Sequence, residues 1–361
     1  MKYAPLISII ITSHNYQRFL ADAIESALGQ IYISTEVIIV DDGSTDESRT
    51  VIERYGNRVD AVYKPNGGQA SAFNTGFARS RGEVVIFLDA DDVLLPTTAA
   101  RVVNAFSVNP ALSKVMYRME VIDEGGRRTG AYKPASHLPL LSGDLRQYVL
   151  SFADDMTWMA TSGNAFSTKT LRLILPMPEH EYRTCADWYL SLISPLYGQV
   201  EFLSDVGAYY RVHGRNNYEQ MLPTIDMRRI KQTICYSETT RRYIGQTADR
   251  LNLREAKSRG KEIQSVSSLA NRLIALKLAS SQYPIRGDTA WHLTRSGIRV
   301  AFRRFDVSWL MRLAFIAWFL CMMLAPKFMA RRLAEWFLFP EKRRVFNKYA
   351  RLLRHSNKPV R

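Results

Sequence analysis

Cysteine is scarce. Cys185, Cys235 and Cys321 are the only three in 361 residues. They form no CxxC pair and no metal-ligand spacing, which excludes a disulfide scaffold or a zinc knot and fits a reduced, cytosolic setting. Long apolar runs are also missing. The opening run Leu6–Ile11 is too short for a signal-peptide core and reads as a buried strand. The uncharged apolar run Leu313–Pro326 has 14 residues, short of the ~20 that cross a bilayer. There is no internal repeat and no low-complexity tract, which excludes a repeat array. No glycine stands between Thr12 and Tyr16, directly after the first strand.

What is present is unevenly distributed. The net charge is +15, yet residues 1–225 hold 20 Lys and Arg against 25 Asp and Glu, a net of −5. Residues 226–361 hold 29 against 9, a net of +20. An acidic front and a basic back argue against one uniform nucleic-acid surface and for a catalytic domain joined to a segment that meets an anionic partner. A membrane surface and nucleic acid are the two candidates for that partner.

The front half alternates strands and helices. Ile7–Ile11 (ISIII) is β-branched and continuous, as in a parallel strand buried on both faces. Helix follows to about Leu28, then strand Val37–Val40 (VIIV), helix Glu47–Tyr55, strand Val59–Tyr63, helix Ala70–Arg79 and strand Glu83–Leu88 (EVVIFL). This pattern predicts a parallel α/β sheet, in which ligands gather at the carboxyl ends of strands. Polar clusters follow Ile11, Val40 and Leu88. Asp89-Ala90-Asp91-Asp92 packs carboxylates that repel one another unless a cation sits among them, and Mg²⁺ or Mn²⁺ favours such oxygens. The bland alternative is a solvated turn with helix-capping aspartates. In Asp41-Asp42-Gly43-Ser44-Thr45-Asp46, Ser44 or Asp46 would cap the next helix, which leaves Asp41 and Asp42 surplus to capping.

Four motifs of this region resemble glycosyltransferase family 2 in order and spacing. They are Pro5–Tyr16 (PLISIIITSHNY), Val37–Asp46 (VIIVDDGSTD), Asn74-Thr75-Gly76, and Gly82–Asp92 (GEVVIFLDADD). The resemblance covers roughly residues 5–215. It implies a GT-A-like α/β fold, a mixed sheet flanked by helices, and inverting transfer from a nucleotide-diphosphate sugar. It places Thr12 and Asn15 at the nucleotide, Asp41 or Asp42 at base or ribose, and Gly68 and Gln69 near the donor. Asp89 falls at the ribose or the metal-bound diphosphate, and Asp91 at Mn²⁺ or Mg²⁺ with Asp92 as a possible partner. In Thr184–Trp188, Ala186 stands where the family usually has Glu. Asp187 remains and is implied as general base; the competing reading is a helix cap. Tyr210–Gly214 (YRVHG) resembles a late motif whose Arg211 and His213 meet diphosphate or metal, although a lone His is more often structural. Gly163 and Asn164 fall where acceptor or donor sugar is held. Trp158 and Trp188 are candidates for stacking on a sugar ring, or plain core residues.

The expected organisation is a catalytic domain over 1–223, a charged helical region over 224–306 and a basic tail over 307–361. In the tail, apolar Phe328, Met329, Leu333, Trp336 and Phe337 lie near helical spacing opposite Lys327, Arg331 and Arg332, which fits a helix lying in a membrane interface. A helical hairpin packed on the domain and a true span are the alternatives. The reading is a non-processive enzyme, since no Q-x-x-R-W occurs. It would act on a glycan or lipid-linked acceptor, attached peripherally to an anionic membrane on its cytoplasmic face, with no nucleic-acid partner. A sugar-nucleotide-forming nucleotidyltransferase is the rival enzyme, disfavoured because no glycine-rich loop follows the first strand. An inactive sugar- or membrane-binding relative is the non-enzyme rival.

Overall fold

The structure is a computed structural model that describes residues 4–214, 216, 224–255, 263–279 and 283–339. The front half folds as β1 (Ile7–Ser13), α1 (Leu20–Leu28), β2 (Thr35–Asp41), α2 (Ser48–Glu53), β3 (Asp60–Tyr63), α3 (Gln69–Arg79) and β4 (Val84–Asp89). The β-branched runs become the parallel strands β1, β2 and β4, because each is covered on both faces. Ile7, Ile9 and Ile11 pack beneath Leu20, Ala23 and Ile24 of α1. On the other face α3 brings Phe73 to stack on Phe87 of β4, centroids 4.3 Å apart. Full burial of one such side chain is worth about 1.5–3 kcal/mol.

Then follow β5 (Val93–Leu94), α4 (Thr98–Val108), β6 (Leu112–Ile122), β7 (Arg128–Lys133), α5 (Arg146–Phe152), β8 (Asn164–Ser167), α6 (Thr168–Ile174), α7 (Ala186–Ile193) and β9 (Gln199–Arg211). The strands form one sheet in the order β3-β2-β1-β4-β8-β6-β9-β5, with β7 on β6. β8 runs antiparallel to both β4 and β6, while β6 and β9 are parallel. This is the mixed sheet flanked by helices that the family resemblance implied; antiparallel β8 departs from the all-parallel sheet that the strand–helix alternation alone predicted. The parallel register matters most for the site. Ser13 lies opposite Asp41, and Thr12 lies opposite Asp89, so three strands end together at one edge.

The chain divides into two compact units. Met1–Asn217 and Glu238–Ile263 make the first; Tyr218–Ser237 and Gln264–Arg361 make the second. The long helix α8 (Met227–Arg250) contributes to both. Part of the charged helical region, Glu238–Ile263, thus falls in the first unit. Within the first unit, Thr240 meets the Tyr182 hydroxyl at 2.7 Å, and Arg242 and Tyr243 engage Glu181.

The second unit contains α9 (Val266–Leu278), α10 (Ala290–Arg303), α11 (Trp309–Leu324) and α12 (Lys327–Leu338). Ser265, Thr289 and Ser308 cap the first three, each side chain accepting a backbone N–H three residues on, as Ser and Thr do at helix starts. Leu269, Leu273, Leu293, Trp318, Phe319 and Ala334 share one core. The segment read as a separate tail thus packs one face against α9 and α10. No described helix is long and apolar enough to cross a membrane. The basic stretch beyond Phe339 lies outside the described residues.

Candidate active site

The site is built on the edge where β1, β2 and β4 end. Asp41 accepts from the Ser44 backbone N–H at 2.9 Å, closing the turn after β2. Asn15, at φ 62°, reaches the same turn and accepts from the Thr45 N–H at 2.7 Å. Asp42 is buried and organises the next loop. It accepts from Lys64 Nζ at 2.6 Å and from the Gly67 and Gly68 N–H groups at 2.9 and 2.7 Å. Gly68 sits at φ +90°, and a Cβ there would stand 2.6 Å from the Arg183 carbonyl oxygen. Only glycine fits so close a backbone approach. The approach lets Gln69 N–H donate to the Arg183 carbonyl at 2.8 Å.

Beyond β4 the acidic turn is crowded. Asp91 and Asp92 are buried. Burial first, then the charges of Asp91 and Asp187, hold Asp89 above the ordinary carboxylate range. Burial and the charges of Asp91 and Asp89 do the same to Asp92. Asp92 Oδ1 accepts from the Arg211 backbone N–H at 3.0 Å, and the Ser162 hydroxyl also favours its carboxylate, against the larger effect of burial. The Tyr16 phenol is raised by its own burial and then by these carboxylates, so it stays protonated.

Residues from the end of β9 support this turn from behind. The Arg211 guanidinium donates to the Asp91 carbonyl, the Glu124 carbonyl and the Asp22 carboxylate, at 2.9, 3.2 and 2.7 Å. His213 Nε2 lies 2.9 Å from Asp91 Oδ2, and its ring stacks on Phe19 with centroids 4.8 Å apart.

Asp187 approaches from the other side, in the first turn of α7. Its Oδ1 accepts from Trp188 N–H at 3.0 Å. Burial pushes its carboxyl up to about 6, against the opposing pull of that hydrogen bond, its own backbone and Lys114. Gln69 links the two sides. Its Oε1 accepts from Ala186 N–H at 2.9 Å, and its Nε2 makes long 3.4 Å contacts with Asp89 and Thr161.

Residues 8–165 match the sequence profile of Glycosyl transferase family 2. This segment belongs to that family. Over 216 residues the chain is 38% identical to an uncharacterized glycosyltransferase of Nostoc sp., covering 59% of this chain and 66% of that protein. Over 133 residues it is 36% identical to an uncharacterized glycosyltransferase of Rickettsia prowazekii, 37% of this chain and 42% of that one. A 114-residue stretch is 39% identical to the chondroitin synthase of Pasteurella multocida, 31% and 12%. The chain spans less than two thirds of these relatives' own length. Similar solved structures include S. aureus TarS 1-349 in complex with UDP, with a TM-score of 0.48, 15% identity and coverage of 87% and 90%. Another is the mannosyltransferase PcManGT from Pyrobaculum calidifontis in complex with GDP-Man and Mn2+, at 0.46, 17%, 92% and 85%.

In the family 2 domain the expected residues fall into two groups. Thr12, Asp41, Asp89, Asp91, Asp92, Gln69 and His213 belong to the strand-end edge and the turn beside it. Asp187 joins them through Gln69. Others act as supports. Asp42 and Gly68 shape the loop before α3, Asn15 ties the first two turns, and Arg211 faces the back of the acidic turn. Gly163 and Asn164, expected at the acceptor, are buried. The Asn164 amide donates to the Ala160 carbonyl at 2.7 Å and holds its own loop. Trp188 meets Trp158 edge to face, centroids 5.0 Å apart. Among the described residues, no three His, Cys, Asp or Glu side chains form a ready-made metal cage. The sequence reading passed over Asp22, Phe19 and Lys114. Asp22 anchors Arg211, Phe19 stacks on His213, and Ser162 Oγ accepts from Asp89 N–H at 3.0 Å. Lys114 is one of two cations, with Arg118, in the strand stretch Leu112–Met119, and nothing local marks it as the buried one.

Proposed function

We propose that the protein transfers a sugar from a nucleotide-diphosphate donor to a hydroxyl acceptor in a single inverting, non-processive displacement. The observation that carries this reading is Gln69, which joins the carboxylate turn after β4 to the first turn of α7, so that donor-side acids and Asp187 share one site. Asp187 would take the proton from the acceptor hydroxyl as that oxygen attacks the sugar carbon. A carboxyl held near 6 is ionised at neutral pH yet basic enough to accept a proton in the transition state. Asp41 and Thr12 face the nucleoside end and Asp89 the ribose or diphosphate.

The carboxylate turn fits a divalent cation. The crowding of Asp89, Asp91 and Asp92 that raises Asp89 and Asp92 describes negative charge in want of a counter-ion. The open ligand set suits Mg²⁺ or Mn²⁺, which commonly takes one or two carboxylates and completes its shell with substrate phosphates and water. Asp91 would hold it, with Asp92 and His213 beside it. When bound, it would supply positive charge to the departing nucleoside diphosphate.

The second unit supports membrane attachment. Trp309, Leu313, Leu324, Phe328 and Met329 are exposed large apolar residues on α11 and α12, with Lys327, Arg331 and Arg332 exposed beside them. One face of this helix pair is packed and the other is free, the arrangement of a helix pair that rests on anionic lipid and presents the enzyme to a lipid-linked or membrane-proximal glycan.

Two variants test the chemistry. Asp91→Ala is expected to abolish the Mn²⁺-dependent rise in melting temperature that a matching nucleoside diphosphate gives. Asp187→Asn is expected to keep that rise and lose transfer, because a base acts mainly in the transition state. Parallel loss of nucleotide binding and turnover in Asp187→Asn would make Asp187 a donor contact instead.

A further inference from the structure

Lys114 stands in the middle of β6, opposite Phe166 of β8 and Val200 of β9. It is 1% exposed. Strand alternation sends Val115, Tyr117 and Met119 to the main core and turns Lys114 and Met116 to the other face. That face meets α7. Lys114, Met116, Trp158 and Ser191 line one narrow cavity there. Ser191 lies four residues after Asp187, on the same side of α7, and its buried Oγ has no hydrogen-bond partner. Among the described residues Lys114 makes no ion pair; its amine lies 5.8 Å from the Phe166 ring centroid. An ammonium walled into an apolar cavity without a carboxylate bonded to it is costly. Removing it would leave nothing unpaired, so packing alone does not explain why it stands there.

We propose that Lys114 is a positioning residue for the transfer reaction, a buried cation set against the face of α7 that carries Asp187. It touches neither donor nor acceptor and acts through the base. The charges that face Asp187 come from two strands. Asp89 on β4 opposes ionisation of Asp187, and Lys114 on β6 favours it; the Trp188 N–H of its own helix favours it too. Burial in turn lowers the Lys114 ammonium to about 7, and Asp187 is the charge that holds it up. Coupling of this kind is reciprocal, so each group reports on the other.

The proposal rests on Asp187 as base only for its kinetic consequence; the electrostatic link is measurable without any substrate. Protein labelled with ¹³C at the lysine ε-carbons is titrated by NMR, and Lys114→Met identifies the Lys114 signal by its loss. The signal is expected to titrate near neutrality. In Asp187→Asn it is expected to titrate about one pH unit lower, the scale of one nearby charge. An unmoved Lys114 titration in Asp187→Asn overturns the proposal, whatever the enzyme transfers. The second arm reads nucleoside-diphosphate release from a panel of UDP- and GDP-sugars against pH. Lys114→Met is expected to move the acid limb of kcat/KM upward by about one pH unit, with nucleotide affinity unchanged and Lys114→Arg restoring the limb. Lys114→Met is also expected to melt no lower than the parent protein. A lower melting temperature with an unchanged pH profile would make Lys114 a structural residue.

Discussion

Gln69 carries more of the site than its chemistry suggests. A neutral amide offers one acceptor and two donors, and here the acceptor holds the Ala186 N–H while the donors face Asp89 and Thr161. A carboxylate in its place would add charge to an already crowded turn, and a hydrocarbon would leave a helix N–H without a partner. Gln69→Leu is therefore expected to destabilise the protein by about 1–3 kcal/mol, the cost of an orphaned buried polar group, and to lower turnover more than nucleotide affinity. Denaturant melts and nucleotide titrations check both. Unchanged stability would mean that the α7 N-terminus is held by packing alone. Arg211 makes the same point from the opposite direction. Its donors serve the Asp91 carbonyl and Asp22, the latter 189 residues away in sequence. No local pattern announces a partner so distant. Lys114 was hidden for a related reason. A lysine in a strand ordinarily marks a solvent-facing position, and only the placement of β6 between β8 and β9 buries this one.

Elements were legible wherever local physics decided them. The β-branched runs of β1, β2 and β4 needed no tertiary knowledge, and each ended where its apolar residues gave way to Asp or Thr. The α11 run was legible as apolar but not as to which neighbour covered it, because both of its faces are hydrophobic. Trp318, Phe319 and Met322 point into the core, while Leu313, Leu320 and Leu324 point outward. The inward face has a tight fit. A Cβ on Gly297 of α10 would lie 2.4 Å from the Phe319 ring, and that ring is wholly buried. Gly297→Ala gains about 1 kcal/mol of helix propensity but overpacks at a cost of about 1–3 kcal/mol. The expected result is a lower melting temperature, largely recovered by adding Phe319→Leu. A rise in melting temperature in the single variant would show that α10 and α11 separate easily.

At the scale of the whole molecule, exposed apolar surface is concentrated in one unit. Among the described residues, 11 of the 17 exposed large hydrophobics lie between Trp291 and Met329. Deleting α11 and α12 is a poor test of membrane attachment, since it would strip Trp318 and Phe319 from the core they share with α9 and α10. Substituting exposed residues avoids this. Leu324→Glu combined with Phe328→Glu is expected to lose co-flotation with anionic vesicles while melting as the parent does. Rising salt should weaken parent binding without ending it, because the charge attraction is screened and the apolar contribution stays. Equal flotation of parent and variant would leave α11 and α12 as internal structure only.

The shared helix α8 also sets an order of events during synthesis. The chain leaves the first unit after residue 217 and returns to it from Glu238 to Ile263. Asp187 and the segment before it therefore emerge from the ribosome well ahead of Thr240 and Tyr243, the residues that engage Tyr182 and Glu181. Domains fold as units once their last residues are available. The approach to Asp187 thus stays unbraced until the chain has grown past α8.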